Sequence, residues 1–338
     1  MISLSILDYS PIDEGADAHQ ALWETTELAK HADALGYKRF WVSEHHMVDS
    51  VANSSPEMLM MHLAALTSTI RIGSGGVMLP HYSSYKVAEN FRMLEALHPN
   101  RIDLGIGRSP SYRIVNTALN EGKTKKTSYE QQVADLMKYF TNNTVEEHRF
   151  QSLLAAPKIP TAPQMWMLGT GERGARTAAA QGTGYVFALF AKPGSKGVSI
   201  VEEYRKQFQP SSLLGRPKTM VSVFAVAGET EEEAEDLAKA FDLWLYFVES
   251  DNQPPYYPSI ETAKKRGFTA TEDRKVRQNR RRMLIGTPGK VKAEIERIAE
   301  TFQTDEILII PNVSGIENRK KVIGLLAKEF RLNDKKDL

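Results

Sequence analysis

The chain has 338 residues, 41% hydrophobic and 25% charged, with 43 basic against 42 acidic side chains and a formal net charge of +1. That balance supplies no field to draw it onto nucleic acid or a membrane surface. With no cysteine, disulfides, thiolate metal sites and a cysteine nucleophile are excluded. No run approaches the ~18 apolar residues of a membrane span. The opening Met1-Ile-Ser-Leu-Ser-Ile-Leu-Asp8 reads as a strand, not a signal peptide, so a soluble cytoplasmic protein is expected.

Residues 2–7 form a short apolar strand closed by Asp8-Tyr9-Ser10-Pro11. A helix over 18–35 carries Leu22, Thr26, Ala29 and Ala32 on one stripe and stops at Gly36. Residues 39–42 are a second strand, and Ser55-Pro56-Glu57 starts a helix over 58–66 with its proline early. A third strand, 70–72, ends in Gly73-Ser-Gly-Gly76 and precedes a helix over 84–97. The fourth, 101–106, ends in Gly107-Arg108. Residues 109–127 are polar and irregular, an insertion, followed by a helix over 128–140.

Strand five (164–168) runs into a glycine turn at 169–174 and a helix over 175–180. Strand six (185–190) has its helix at 196–208, and strand seven (219–226) at 231–248. Residues 250–275, with Pro254-Pro255-Tyr256-Tyr257-Pro258, are too long and proline-rich for a simple connection and read as an insertion or lid. A helix over 288–302, strand eight at 306–310 and a helix over 318–330 close the chain. The length suits two ordinary domains or one barrel of ~250 residues with insertions. Eight strands each followed by a helix, with no linker, favour a single domain, 1–338. The expected fold is α/β, a (β/α)8 TIM barrel with insertions after strands four and seven.

Chemistry concentrates at strand ends. Arg39-Phe-Trp-Val-Ser-Glu-His-His46 begins as a buried strand and ends in Glu44, His45 and His46. Alternation along a strand sends His45 and His46 to opposite sides and leaves Glu44 with His46. A rim imidazole beside a carboxylate suits proton transfer, while a helix cap or a satisfied core pair is the plainer alternative. Gly169-Thr-Gly-Glu-Arg-Gly174 matches G-x-G-x-x-G and opens a helix. It falls at the fifth strand, and the next strand ends without the acid that would hold a ribose. A helix start with exposed N–H groups binds a phosphate of any ligand, and a tight turn needing glycine for itself remains open. Gly75-Gly76 permits close approach of a flat ligand or marks a β-bulge. Arg108 offers a fork for phosphate or is a surface cation. The Arg280-Arg281-Arg282 run reads as a solvated face that could help hold an anion if folded over the rim. His62, His98 and His148 lack metal-ligand spacing, so no metal is expected. Four such features at one level point to a site for a planar, phosphate-bearing cofactor.

Trp41-Val-Ser-Glu-His-His46, Ile72-Gly-Ser-Gly-Gly-Val-Met-Leu-Pro80 and Leu97-His-Pro-Asn-Arg-Ile-Asp-Leu-Gly-Ile-Gly-Arg108 resemble the bacterial luciferase-like flavin monooxygenase family. Leu168-Gly-Thr-Gly171 and Ile285-Gly-Thr-Pro288 extend the likeness over nearly the whole chain. The resemblance implies a homodimeric barrel that uses reduced FMN and oxygen to oxidise an aldehyde or another small organic substrate. With no second nucleotide domain, a separate NAD(P)H-dependent flavin reductase would supply the reduced flavin. By position, His45 matches the catalytic histidine and Glu44 its acidic neighbour. Gly75 and Gly76 match a pair joined by a non-prolyl cis peptide against the flavin ring. Arg108, Gly169, Thr170, Gly171 and Gly174 match positions around the phosphate, and Tyr9 joins the cofactor set. Luciferase has hydroxyl side chains where this chain has Gly171 and Gly174, and a cysteine where it has Gly107, so light emission is not implied. The rivals are hydride transfer with a deazaflavin on the same fold, and a flavin-binding protein without turnover.

Overall fold

In the computed structural model, which describes residues 2–109, 111–123, 127–145, 148–192, 194, 196–250 and 253–333, strands and helices alternate along the chain. The first half runs β1 (Ser3–Asp8), α1 (Ala18–Ala34), β2 (Arg39–Val42), α2 (Pro56–Leu66), β3 (Arg71–Ser74), β4 (Val77–Met78), α3 (Ser84–Leu97), β5 (Ile102–Gly107), α4 (Arg113–Leu119) and α5 (Tyr129–Phe140). The second runs β6 (Gln164–Gly169), α6 (Glu172–Gln181), β7 (Gly184–Ala188), α7 (Lys196–Gln207), β8 (Thr219–Ala227), α8 (Glu231–Val248), α9 (Ile260–Arg266), α10 (Ala270–Arg280), β9 (Met283–Gly286), α11 (Pro288–Phe302), β10 (Glu306–Ile310) and α12 (Ile316–Glu329).

The parallel strands follow the order β1-β2-β3-β5-β6-β7-β8, and β10 pairs with both β8 and β1, closing the expected eight-stranded barrel. Helices cover its outside, so the strands are buried along their length, β8 at all nine positions. Parallel strands also put every carboxyl end at one mouth.

The floor of the barrel is ionic. Arg39 pairs with Asp103 at 2.8 Å and Glu306 at 2.6 Å, and Arg71 reaches Asp103 at 2.7 Å. Trp41 Nε1 donates to Asp103 at 2.9 Å and Ser5 Oγ to Glu306 at 2.6 Å. Burial opposes the charge on Glu306, yet Arg39 and Lys38 win and hold its carboxyl down at about 2.

Three local departures from the sequence reading matter. Within 109–127, residues 113–119 are helical, while 110 and 124–126 lie outside the described residues. Within 250–275, α9 and α10 are regular helices held by Ser259 and Thr269 caps; 251–252 lie outside the described residues. Met283–Gly286, which the sequence did not mark as a strand, is β9, added to β8 outside the closed ring. None of the described helices is long and apolar enough to cross a membrane.

Candidate active site at the carboxyl mouth

Strand ends and their loops surround one cavity of about 510 Å³ at the carboxyl mouth. Tyr9, Glu44, His45, Gly75, Gly76, Arg108, Gly169, Thr170, Gly171 and Gly174, drawn from five separate stretches of sequence, all line it. His46 does not. A wider hollow of about 770 Å³ opens at the opposite end of the barrel, around Lys38, Lys218 and Glu306, and contains none of these residues.

His45 follows β2 directly. Its backbone N–H donates to Asn53 O at 3.1 Å, and Asn53 Nδ2 donates to Ser43 O at 2.5 Å, which fixes the turn. Ser43 Oγ lies 2.8 Å from Nδ1 of His45, and Tyr9 meets the imidazole edge-on at 5.2 Å between ring centroids. Burial, with the neighbouring His46 second, lowers the His45 pKa to about 4. The ring is therefore neutral at physiological pH.

Glu44 is occupied differently. Its Oε1 accepts from Tyr82 Oη at 2.6 Å and lies 2.7 Å from His46 Nε2, while its Oε2 accepts from Met78 N at 2.8 Å. Burial first, then the bond to Glu44, raises the Tyr82 pKa well above its ordinary value. The carboxylate ties the turn after β2 to the segment after β3. That segment carries the non-prolyl cis peptide Gly75–Gly76. A Cβ on Gly75 would lie 2.6 Å from Leu7 Cδ1, which would have to move, and one on Gly76 2.8 Å from the Gly105 carbonyl oxygen, which leaves no room for a side chain there.

The phosphate-side features also converge. α6 starts at Gly171 with no side-chain cap, leaving its first N–H groups available. A Cβ at Gly171 or Gly174 would meet nothing within 4 Å, so both face open space along the cavity wall. Arg108 is exposed there, without an ion pair among the described residues. Tyr129, placed by the Ser128 cap at the start of α5, lines the same wall; its buried hydroxyl has no hydrogen-bond partner among the described residues. Arg173 is engaged with Glu130 at 2.8 Å. A free guanidinium, an unsatisfied hydroxyl and helix-start N–H groups fit a phosphate monoester. Tyr129 and Ser43 were missed by the sequence reading. Tyr129 has only its place beside a capping serine to betray it, and Ser43 its place in the Ser-Glu-His-His run.

Tyr256 and Tyr257, expected over a substrate, are not at this cavity. Tyr257 is fully buried, stacks on Trp244 at 5.4 Å and donates to Asn312 O at 2.7 Å. Tyr256 lines a separate hollow beside Phe247.

A closed α/β barrel with an imidazole, a glycine pair and a phosphate-type cradle around one mouth defines an enzyme of the TIM-barrel class. A family model described as luciferase-like monooxygenase matches residues 3–305, and the chain belongs to that family. It is 45% identical to "Uncharacterized protein YwcH" of Bacillus subtilis (strain 168), over 98% of this chain and 99% of that one. It is 34% identical to the N-acetyl-S-alkylcysteine monooxygenase of the same organism, over 97% and 98%. The crystal structure of apo-MsnO8 superposes with a TM-score of 0.86 at 30% identity, over 98% and 99%. At 18% and 16% identity, an FMN complex of the oxygenating constituent of 3,6-diketocamphane monooxygenase and an F420-dependent secondary alcohol dehydrogenase share the fold, with TM-scores of 0.71 and 0.63. They cover 97% and 96% of this chain and 98% and 99% of their own.

Proposed function

We propose that the protein is an FMN-dependent monooxygenase that takes reduced FMN and oxygen and oxidises a small organic substrate. The observation that carries this reading is the convergence of His45, Gly75-Gly76 and the Arg108/Gly171/Gly174 cradle on one cavity. FMN, when bound, would supply the electrons that activate oxygen. Arg108, Tyr129 and the N–H groups at the start of α6 would hold its phosphate, and the bare wall at Gly75-Gly76 would receive its ring. His45 would exchange a proton at its Nε2, with Ser43 setting the tautomer at Nδ1. Glu44, its oxygens already engaged, would act by holding the two rim turns together. Leu7, Met167, Phe190 and Ala191 would keep water from the reacting atoms. The relative that acts on N-acetyl-S-alkylcysteine makes thioethers the first substrates to test alongside aldehydes.

The rival of the same fold uses a deazaflavin for hydride transfer. Titrating the purified protein with FMN and with the deazaflavin coenzyme separates the two. Saturable FMN binding with substrate-dependent oxygen uptake supports the proposal. Tight binding of the deazaflavin alone removes it. FMN binding without oxygen uptake on any substrate favours a flavin-binding protein.

A separate NAD(P)H-dependent flavin reductase, a cytoplasmic location and a homodimer complete the proposal. Exposed Met58 and Leu66 on α2 and Met93 and Leu97 on α3 are the surface that supports pairing, and sedimentation of the pure protein tests it.

A further inference from the structure

At the amino end of the barrel, the hollow of about 770 Å³ is lined by four cations, and only one of them has a counterion among the described residues. That one is Lys38, 2.7 Å from Glu306. Arg205, Arg216 and Lys218 line the same hollow, and no carboxylate pairs with them among the described residues. Glu296, Glu300 and Asp305 are on its wall too, but they stand exposed and pair with none of the three.

The start of β8 brings these charges together. The N–H of Lys218 donates to Tyr204 Oη at 3.3 Å, and its carbonyl oxygen accepts from Tyr185 N at 3.0 Å, which fixes the backbone there. Arg205, beside Tyr204 in α7, donates through Nη2 to Thr219 Oγ1 at 2.9 Å and to the carbonyl oxygens of Phe302 and Gln303 at 2.6 and 2.9 Å. Its Nε and Nη1 have no partner among the described residues. Arg216, two residues before Lys218, is exposed at the edge.

The ionic floor cannot answer them, because Arg39, Arg71 and Lys38 already share Asp103 and Glu306. Burial, with Arg39 and Lys38 next, lowers the Lys218 pKa, and burial lowers that of Arg205. The hollow also borders Trp166, whose ring lies under the Arg39 guanidinium at 4.8 Å. Trp166 is 2% exposed, and its indole N–H has no hydrogen-bond partner among the described residues. Buried donors are ordinarily paired. One ammonium, two planar forks and an unpaired donor around one hollow suit an oxyanion that carries more than one charge.

We propose that the amino end of the barrel holds an anion site of its own, in which Lys218, Arg205 and Arg216 take the oxygens of a phosphoryl group beside the Trp166 indole. Free phosphate and a small phosphate monoester share that chemistry. The site stands apart from the monooxygenase reading and from the cradle at the opposite mouth.

The test is calorimetric titration of the full-length protein, in a buffer without phosphate, with inorganic phosphate and with glycerol phosphate. The indole N–H resonance of Trp166, identified by its loss in Trp166→Phe, marks the site by NMR. Saturable binding that moves this resonance is expected, and the tighter of the two ligands tells free phosphate from an ester. Lys218→Gln should weaken that binding at least about tenfold, as loss of a charge-assisted contact does. Arg108→Gln, at the other mouth, should leave the Trp166 titration unchanged. No saturable binding, a resonance that stays in place, the same shift with sodium chloride at matched ionic strength, an affinity unaltered by Lys218→Gln, or a titration lost in Arg108→Gln would overturn the proposal.

Discussion

Ser43 Oγ and His45 Nδ1, 2.8 Å apart and two residues apart in the chain, tie down one nitrogen of an imidazole that lines the cavity. Removing the hydroxyl leaves the ring in place but frees its tautomer. Losing one such hydrogen bond is worth ~1 kcal/mol, so Ser43→Ala should lower turnover by about five- to tenfold. FMN affinity should not change, whereas the acid limb of the pH–rate profile should move. A Ser43→Ala protein with the wild-type profile would release Ser43 from this role.

His45 itself should titrate near 4 when followed by NMR of its ring protons, against ~6.5 in an unfolded chain. Its folded value is depressed, so the protonated form is disfavoured on folding. The group accordingly takes stability away as pH falls from ~6.5 towards 4. His45→Asn should reduce substrate-dependent oxygen uptake by about 10²- to 10⁴-fold while FMN still binds. A titration near the unfolded value would contradict the neutral imidazole.

The glycines at the mouth should separate by what a methyl group would meet. Gly76→Ala drives a Cβ towards the backbone oxygen of Gly105, which cannot swing aside, and should cost ~1–3 kcal/mol in urea unfolding. Gly171→Ala enters open space and should leave stability within ~0.5 kcal/mol. It should instead weaken FMN, since the methyl group occupies the cavity wall. Comparable losses of stability in both variants would be inconsistent with an open cradle at Gly171.

The ionic floor makes a prediction about acid. The Glu306 carboxyl is held at about 2 in the folded chain against ~4.3 unfolded. Its contribution is complete above ~4.3 and is lost as pH falls from there through 2. Arg39→Met leaves Asp103 and Glu306 buried without their shared cation and should cost ~3–5 kcal/mol. Thermal melts at pH 7 and pH 3 check both points: the gap between Arg39→Met and the parent should narrow at the lower pH.

Much of this was legible in the chain because the cues are local. Most of the apolar runs ended in glycine or a charged group, and the barrel follows from a strand-then-helix rhythm repeated eight times. Glu44-His45-His46, Gly75-Gly76 and the 169–174 turn announced themselves by composition. The ionic floor was not legible, because Arg39, Asp103 and Glu306 lie far apart in the chain and nothing local marks them as partners. Only the register of the closed sheet, with Arg39 opposite Arg71 and Asp103 opposite Gln164, shows that they share one layer. Tyr257 misled for the opposite reason: a proline-rich stretch looks like a lid, yet Trp244 and Asn312, far apart in sequence, bury it. β9 was hidden because a short apolar run after three arginines shows no alternation.

The most direct measurement is isotopic. The protein is mixed with reduced FMN and ¹⁸O₂, in the presence of an acceptable substrate, and the product is weighed by mass spectrometry. The account predicts one labelled oxygen atom in each product molecule, with the yield of labelled product falling in His45→Asn as its oxygen uptake falls. A product oxidised without label, or formed equally well in the absence of oxygen, would contradict it.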